Sequence, residues 1–480
     1  MDIETTRSQM NDERVKKTNN VNSSNDGNEM KKCVKIRIRK EWSGLFAIDY
    51  NSYTYTLDWI TLQGGPPVVH FEDKFSSRAK LLKASEVREI LKLTQKPDII
   101  SFAGGLPNPQ SFPVEIINEI VSDLLKQTPE RVLQYGTTEG VEPLREEIAN
   151  LAKSDGMDVG KEDILITHGS QQALDFAGRC FIDPNDCVVV GAPTYLGATN
   201  VWRQNKAQMH EVMVDDNGQD IDQAEEIIRD LMHKGLNVKF LYIMPNFQNP
   251  AGVTLSEKRR KHVIDIANEL DILIIEDDPY GKIRFEGEPL KPIKHYDDEG
   301  RVIYTSTFSK LLAPGFRVAW VTASEPILHK FILNKQTADL HTNTFGQWVT
   351  YEYMHRGYFK KHVPKIISLY REKCALLLKA MDNYFPDEVK FTRPKGGMFS
   401  WASCPDNIDA NAMLIAAIEK KVAYVVGSAF YANPELGRSK MRLNFTHPAN
   451  DKIEVGIKVL SEVMEEFIKK CSKASGKPKK

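Results

Sequence analysis

Four stretches of this chain run apolar almost without a break: Asp163-Ile164-Leu165-Ile166-Thr167, Cys187-Val188-Val189-Val190, Val238-Lys239-Phe240-Leu241-Tyr242-Ile243 and Ile272-Leu273-Ile274-Ile275. A strand with one wet face alternates polar and apolar residues, whereas a strand covered on both faces does not. The segments between these runs have helical spacing, so they predict an α/β protein with a mostly parallel sheet covered by helices on both sides.

A fifth run, Arg301-Val302-Ile303-Tyr304, ends in Thr305-Ser306-Thr307-Phe308-Ser309-Lys310 and continues through Leu311-Leu312-Ala313-Pro314-Gly315-Phe316 to Arg317. Burial or a neighbouring cation lowers a lysine pKa, and an amine so tuned at a strand end is a nucleophile toward a carbonyl, which is imine chemistry. On this hexapeptide alone, a surface lysine closing a strand fits equally well.

The chain has 480 residues, 41% of them hydrophobic, which predicts more than one domain. Lysine plus arginine (64) balances aspartate plus glutamate (65), which argues against a general electrostatic grip on nucleic acid or an anionic membrane. Small molecules and a second copy of the chain are the expected partners. Cys33, Cys180, Cys187, Cys374, Cys404 and Cys471 are scattered, without the close pairs of a metal site, so no metal is expected and a reducing cytoplasm fits. No apolar run reaches the roughly 18 residues of a membrane span, and the acidic, Asn-rich start is unlike a secretory signal.

Residues 1–70 read as an extension, disordered to about residue 30 for want of apolar side chains and strand-like over 33–62. Residues 71–115 are expected to form an amphipathic helix near 84–91 and a loop, joining a small domain. Residues 116–340 then form the large domain. Residues 341–472 form a smaller α+β domain, with a long helix from His362 to about Tyr384, strands near 397–401, 422–426 and 441–445, and a last helix near Asp451. Residues 473–480 read as a frayed basic tail.

Ligands on open α/β sheets sit beyond the carboxyl ends of the strands. There stand His168-Gly169-Ser170-Gln171-Gln172, whose amides suit a phosphate at a helix start or an ordinary cap. Gly191-Ala192-Pro193-Thr194-Tyr195 brings a ring that suits stacking on a planar group or packing in a turn. Pro245-Asn246-Phe247-Gln248-Asn249-Pro250-Ala251-Gly252 has more turn-formers and amides than a plain connection needs. Asp277-Asp278-Pro279-Tyr280 closes an apolar strand, so Asp277 either meets a cation inside the protein or lies in an exposed turn.

Taken in order, SFAGGLPNPQSFP, LQYGTTEG, THGSQQALD, GAPTYLG, PNFQNPAG, EDDPYG, TFSKLLAPGFR, GGMFSW and MRLNF resemble the fold-type I pyridoxal-phosphate aminotransferases, over about residues 75–470. The likeness is to the class I subgroup of kynurenine, 2-aminoadipate and archaeal multisubstrate enzymes. It implies a seven-stranded-type sheet in the large domain, pyridoxal 5'-phosphate as cofactor, and a ping-pong transfer of amino groups from aromatic amino acids, 2-aminoadipate and other bulky donors to 2-oxoglutarate.

By resemblance, Lys310 holds the cofactor through an imine and shuttles the proton, and Asp277 pairs with the ring nitrogen. Asn249 and Tyr280 bond the phenolic oxygen and Tyr195 stacks on the ring. Ser170, Gln171, Thr307, Ser309 and Arg317 hold the phosphate. Tyr135 reaches that phosphate from the partner subunit of a homodimer. Arg442 takes the substrate carboxylate bidentately, Gly105 and Met398-Phe399 shape the pocket, and Ser85 and Arg88, one helical turn apart, read an acidic side chain. The extension before residue 70 is the departure from the family pattern. Two other readings remain: an aminotransferase-like transcription regulator, which needs a helix-turn-helix before residue 70, and another reaction on the same cofactor, such as that of a β-lyase or a decarboxylase.

Overall fold

The computed structural model describes residues 71–82 and 98–474, all within one unit, His70–Lys480. The tail and strands expected before residue 70, the helix near 84–91 with Ser85 and Arg88, and residues 475–480 lie outside the described residues.

In chain order the strands are β1 (Ile100–Ser101), β2 (Ile164–His168), β3 (Cys187–Ala192), β4 (Gln208–Asp215), β5 (Gly218–Gln219), β6 (Val238–Ile243), β7 (Leu273–Asp277), β8 (Val302–Thr307), β9 (Val318–Thr322), β10 (Lys390–Phe391), β11 (Phe399–Ser403), β12 (Val422–Ala423), β13 (Val425–Val426) and β14 (Lys440–Asn444). The main sheet has the order β2-β9-β8-β7-β6-β3-β4-β5. From β8 to β4 all neighbours are parallel, while β9 is antiparallel to both β8 and β2. It has eight strands where seven were expected. The extra one is the two-residue β5, which folds back on β4 through Gly218 at φ +91 and is too short to leave a periodic signal.

The uninterrupted apolar runs have the cause inferred for them. Val188, Val190, Phe240, Tyr242 and Ile275 pack on one face with Phe176 and Trp202, whereas Val189, Leu241, Ile243 and Ile274 pack on the other with Ile228 and Val263. Successive residues of one strand thus enter different cores, each covered by helices.

Beyond the main sheet, β10-β11-β14-β13 form a four-stranded antiparallel sheet, and helix Tyr358–Tyr384 packs on helix Asn450–Ala474. The long helix starts four residues before His362, where Gly357 at φ +74 turns the chain into it. The strand expected over 422–426 is two strands: β12 pairs with β1 and β13 with β14, and Tyr424 between them donates its hydroxyl to Ala410 O at 2.6 Å. The last helix continues through Ala474, past the expected start of the tail. Among the described residues no helix is long and apolar enough to cross a membrane.

Candidate active site

Because β2, β3, β6, β7 and β8 share a direction, their carboxyl ends meet at one edge of the sheet. β9 runs the other way, so the residue before it, Arg317, comes to that same edge; the register pairs Thr307 with Ala319 and His168 with Val318. Thr307, Ser309, Lys310 and Arg317 are thereby gathered from one short stretch of chain.

At the start of helix Ser170–Phe181, Gly169 has φ +77 and the guanidinium of Arg317 lies across it; a Cβ there would be 2.1 Å from Nη2. Arg317 donates to Ser309 Oγ and His168 O, each at 3.4 Å, and Thr307 Oγ1 donates to Ser309 Oγ at 2.9 Å. Ser170 Oγ is buried and has no partner among the described residues. The helix-start amides of Ser170 and Gln171, hydroxyls and one guanidinium make a cradle for a dianion such as phosphate. Gln171 turns its amide to Gly197 O at 2.8 Å and accepts from the Tyr195 hydroxyl at 3.3 Å. The Tyr195 ring crosses Gly197, where a Cβ would lie 2.5 Å from it.

Asp277, at the end of β7, is buried; its Oδ2 accepts from Tyr242 at 2.9 Å, and its Oδ1 has no partner among the described residues. Burial pushes the carboxyl up to about 7 against the pull of the Tyr242 hydrogen bond. Its neighbours are satisfied within the chain: Glu276 accepts from Ile293 N and Lys294 N, and Asp278 from Asn246 Nδ2 and Gly281 N. Of the three consecutive acids, Asp277 alone keeps an oxygen for a group from outside.

Lys310 follows β8 in a 3-10 turn and donates to Gly105 O at 3.1 Å. Burial, then the charges of Arg442 and Arg317, bring its pKa down to about 8, so about a tenth of the amine is unprotonated at pH 7 and about half near pH 8. Arg442, on β14, donates to Asn249 Oδ1 at 2.9 Å and Ala103 O at 2.8 Å, with its Nε unpartnered among the described residues. Its guanidinium lies over Phe399 at 4.3 Å and Phe430 at 5.1 Å, and burial lowers its pKa to about 10. Tyr280, a buried phenol, lies edge-on to Phe399 at 5.9 Å. Gly105 sits at this end: a Cβ would approach Phe399 Cζ to 3.7 Å and Arg442 Nη2 to 3.9 Å.

A strap, residues 102–111, crosses the site. Phe102 O accepts from Asn444 N, Ala103 O from Arg442, Gly105 O from Lys310 and Leu106 O from Thr446, while Ser111 O bonds His362 at 2.9 Å. His362 meets the Tyr353 hydroxyl at 2.7 Å, and Tyr353 donates to Leu311 O at 3.0 Å, so the strap and the turn behind Lys310 share one buried link.

The structure gathers Lys310, Asp277, Asn249, Tyr280, Tyr195, Ser170, Gln171, Thr307, Ser309, Arg317, Arg442 and Gly105. It does not bring Tyr135 to them: that residue is 78% exposed, with its ring edge on His341 at 5.6 Å. Tyr242, Phe430 and the strap carbonyls were not singled out by sequence reasoning. A phenol inside an apolar strand was the one available signal, for Tyr242; backbone oxygens carry none. Among the described residues no cluster suits a metal ion.

These residues fit pyridoxal phosphate at its separate functional groups. The partnerless Asp277 Oδ1 suits a protonated ring nitrogen, the partnerless Ser170 Oγ beside Arg317 suits a phosphate, and the low-pKa amine of Lys310 suits an aldehyde.

Fold and site together define a fold-type I aminotransferase, and residues 108–460 match the family described as aminotransferase class I and II. The chain belongs to that family, and the resemblance read from the nine motifs holds. It is 48% identical over 405 residues to aromatic-amino-acid aminotransferase 1 of Thermococcus litoralis, covering 84% of this chain and 97% of that one. It is 37% identical over 398 residues to the 2-aminoadipate transaminase of Thermus thermophilus, covering 82% and 97%. Among solved structures, the kynurenine aminotransferase of Pyrococcus horikoshii in complex with PMP superposes with a TM-score of 0.80 at 48% identity, covering 83% of this chain and 98% of that one.

Proposed function

We infer that this transaminase, working with pyridoxal 5'-phosphate, moves amino groups from aromatic amino acids, 2-aminoadipate and other bulky donors to 2-oxoglutarate in a ping-pong cycle. The observation that carries the reading is one sheet edge holding a lysine tuned to about 8 and a buried aspartate with a free oxygen. When bound, the cofactor supplies an aldehyde for amine exchange and an electron-accepting ring.

Asp277 keeps its carboxylate for the ring nitrogen, and Tyr242 holds that carboxylate in place. Asn249 and Tyr280 take the phenolic oxygen, and Tyr195 takes the ring face. Ser170, Gln171, Thr307, Ser309 and Arg317 anchor the phosphate. Arg442 exchanges its bond to Ala103 O for the donor's α-carboxylate, which its planar fork suits. Lys310 Nζ, about a tenth unprotonated at pH 7, would serve as the base at the donor's α-carbon and as the carrier of that proton.

Breadth of donor is supported by the names of the relatives: aromatic amino acids, 2-aminoadipate and kynurenine. Ser85 and Arg88 would read the acidic side chain, and Tyr135 would complete the phosphate site of the partner subunit in a homodimer. The exposure of Tyr135 and Leu133 supports that last assignment. The cysteines Cys180, Cys187, Cys374, Cys404 and Cys471 are free, which fits a cytoplasmic enzyme.

The test is a panel of amino donors with 2-oxoglutarate, run on the parent, Lys310→Ala and Arg88→Ala. Lys310→Ala is expected to abolish turnover and the near-visible absorbance of the bound aldehyde. Arg88→Ala is expected to impair 2-aminoadipate and spare phenylalanine, and equal loss for both would remove that residue's assignment.

A further inference from the structure

We propose that Glu211, on β4 and outside the reacting groups, is a positioning residue of the substrate-carboxylate site. It acts by holding the Phe430 ring against the Arg442 guanidinium. The inference rests on the reading that Arg442 takes the donor's carboxylate.

Glu211 lies in the large sheet, opposite Val190 of β3 in the register. Among the described residues its carboxylate meets no cation. Oε1 accepts from Ala432 N at 2.6 Å and Oε2 from Asn433 N at 3.0 Å, two successive backbone donors of the segment that joins β13 to β14. Burial pushes this carboxyl up, and the two amides oppose that shift. A partly buried acid whose described partners are both amides of a distant loop is a tether for that loop.

The tethered segment carries Phe430, whose ring is fully buried, 5.1 Å from the Arg442 guanidinium and edge-on to Trp401 at 5.7 Å. One more bond fixes it, from Thr194 N to Phe430 O at 2.8 Å. Thr194 immediately precedes Tyr195, so the same segment is tied to the turn that presents the stacking ring. Phe430 and Phe399 both lie against Arg442, and its Nη1 and Nη2 are bonded to Asn249 and Ala103. The direction of the fork thus depends on a ring held from β4 and β3.

A guanidinium on an aromatic face gains attraction from the ring and loses conformational freedom, and both favour bidentate capture of a carboxylate. Releasing the segment loosens the fork without altering Lys310, Asp277 or the phosphate cradle. The defect then falls on carboxylate affinity, with the chemistry at the α-carbon spared.

The test uses the cofactor-loaded enzyme. Affinity for 3-phenylpropionate, which has the carboxylate and no amine to react, is measured by calorimetry. The dissociation constant and limiting rate constant of the phenylalanine half-reaction are measured by stopped-flow absorbance. Glu211→Gln keeps the size but sets an amide NH₂ against a backbone N–H. It is expected to weaken 3-phenylpropionate and phenylalanine each by about tenfold, with the limiting rate constant within about twofold and the bound-cofactor spectrum unchanged.

Phe430→Leu removes the ring directly and is expected to behave alike; it decides the matter if Glu211→Gln fails to fold. Unchanged affinity in either folded variant overturns the proposal, as does a fall in limiting rate at constant affinity. Arg442→Lys separates the two readings. If it too leaves 3-phenylpropionate binding intact, the assignment of Arg442 is what fails.

Discussion

The unpartnered oxygen of Asp277 makes a stability prediction that can be read without turnover. In the cofactor-free protein the carboxyl is raised from 3.8 to about 7 by burial. Between these values the folded state holds a proton that the unfolded state has released. Stability referred to this group therefore falls as pH rises through the window and is level above it. A shift of about three units at 1.36 kcal/mol each amounts to about 4 kcal/mol, and about 3 kcal/mol of it develops between pH 5 and 8.

Asparagine can accept from Tyr242 and cannot ionise, so cofactor-free Asp277→Asn should gain on the parent as pH rises. With an unfolding entropy of about 2 cal/mol/K per residue over the described residues, the melting-temperature gap should widen by about 3 °C from pH 5 to pH 8. Differential scanning calorimetry of the two cofactor-free proteins checks this, and in the loaded enzyme the same substitution should abolish turnover. A gap that is constant with pH, or that narrows, would refute the claim that this carboxylate is held at a cost until a cation reaches it.

Two further outcomes follow from the same geometry. The rate at which cofactor-free protein forms an imine with pyridoxal should level off near pH 8, where Lys310 titrates, and not near 10.5; Arg442→Gln should move that inflection upward, since the Arg442 charge is one of its causes. Gly169→Ala should raise the dissociation constant for pyridoxal phosphate by about tenfold or more, because its Cβ displaces Arg317. Gly235→Ala, at a similar φ of +74 with nothing within 4 Å, should cost stability and leave cofactor affinity alone; reconstitution titrations distinguish the pair.

The sheet was legible because burial on both faces removes polar residues from Val188–Val190 and Ile272–Ile275 alike. Asp277 was legible for a related reason: an acid at the end of such a run is an imbalance that demands a partner. The structure shows that the chain supplies half of the answer, Tyr242, and leaves Oδ1 without a partner among the described residues. Tyr242 escaped notice because a tyrosine in a strand reads as core. Ala103 O and Gly105 O escaped because backbone acceptors are alike in every residue. Glu211 stands in Gln208–Asp215, a strand of mixed polarity where an acid draws no attention, and its two partners come more than 200 positions later. Arg442 became visible through the resemblance of MRLNF to the family pattern, and its two flanking rings only through the fold.

The reversal of β9 has a mechanical consequence. Lys310 and Arg317 ride on a single ten-residue bend between two neighbouring ladders, pinned where Thr307 meets Ala319. A covalent grip by Lys310 and an ionic grip by Arg317, in the roles proposed for them, would thus share one piece of backbone. The span between them is set like the jaws of a fixed calliper, indifferent to any rocking of the smaller sheet that carries Arg442.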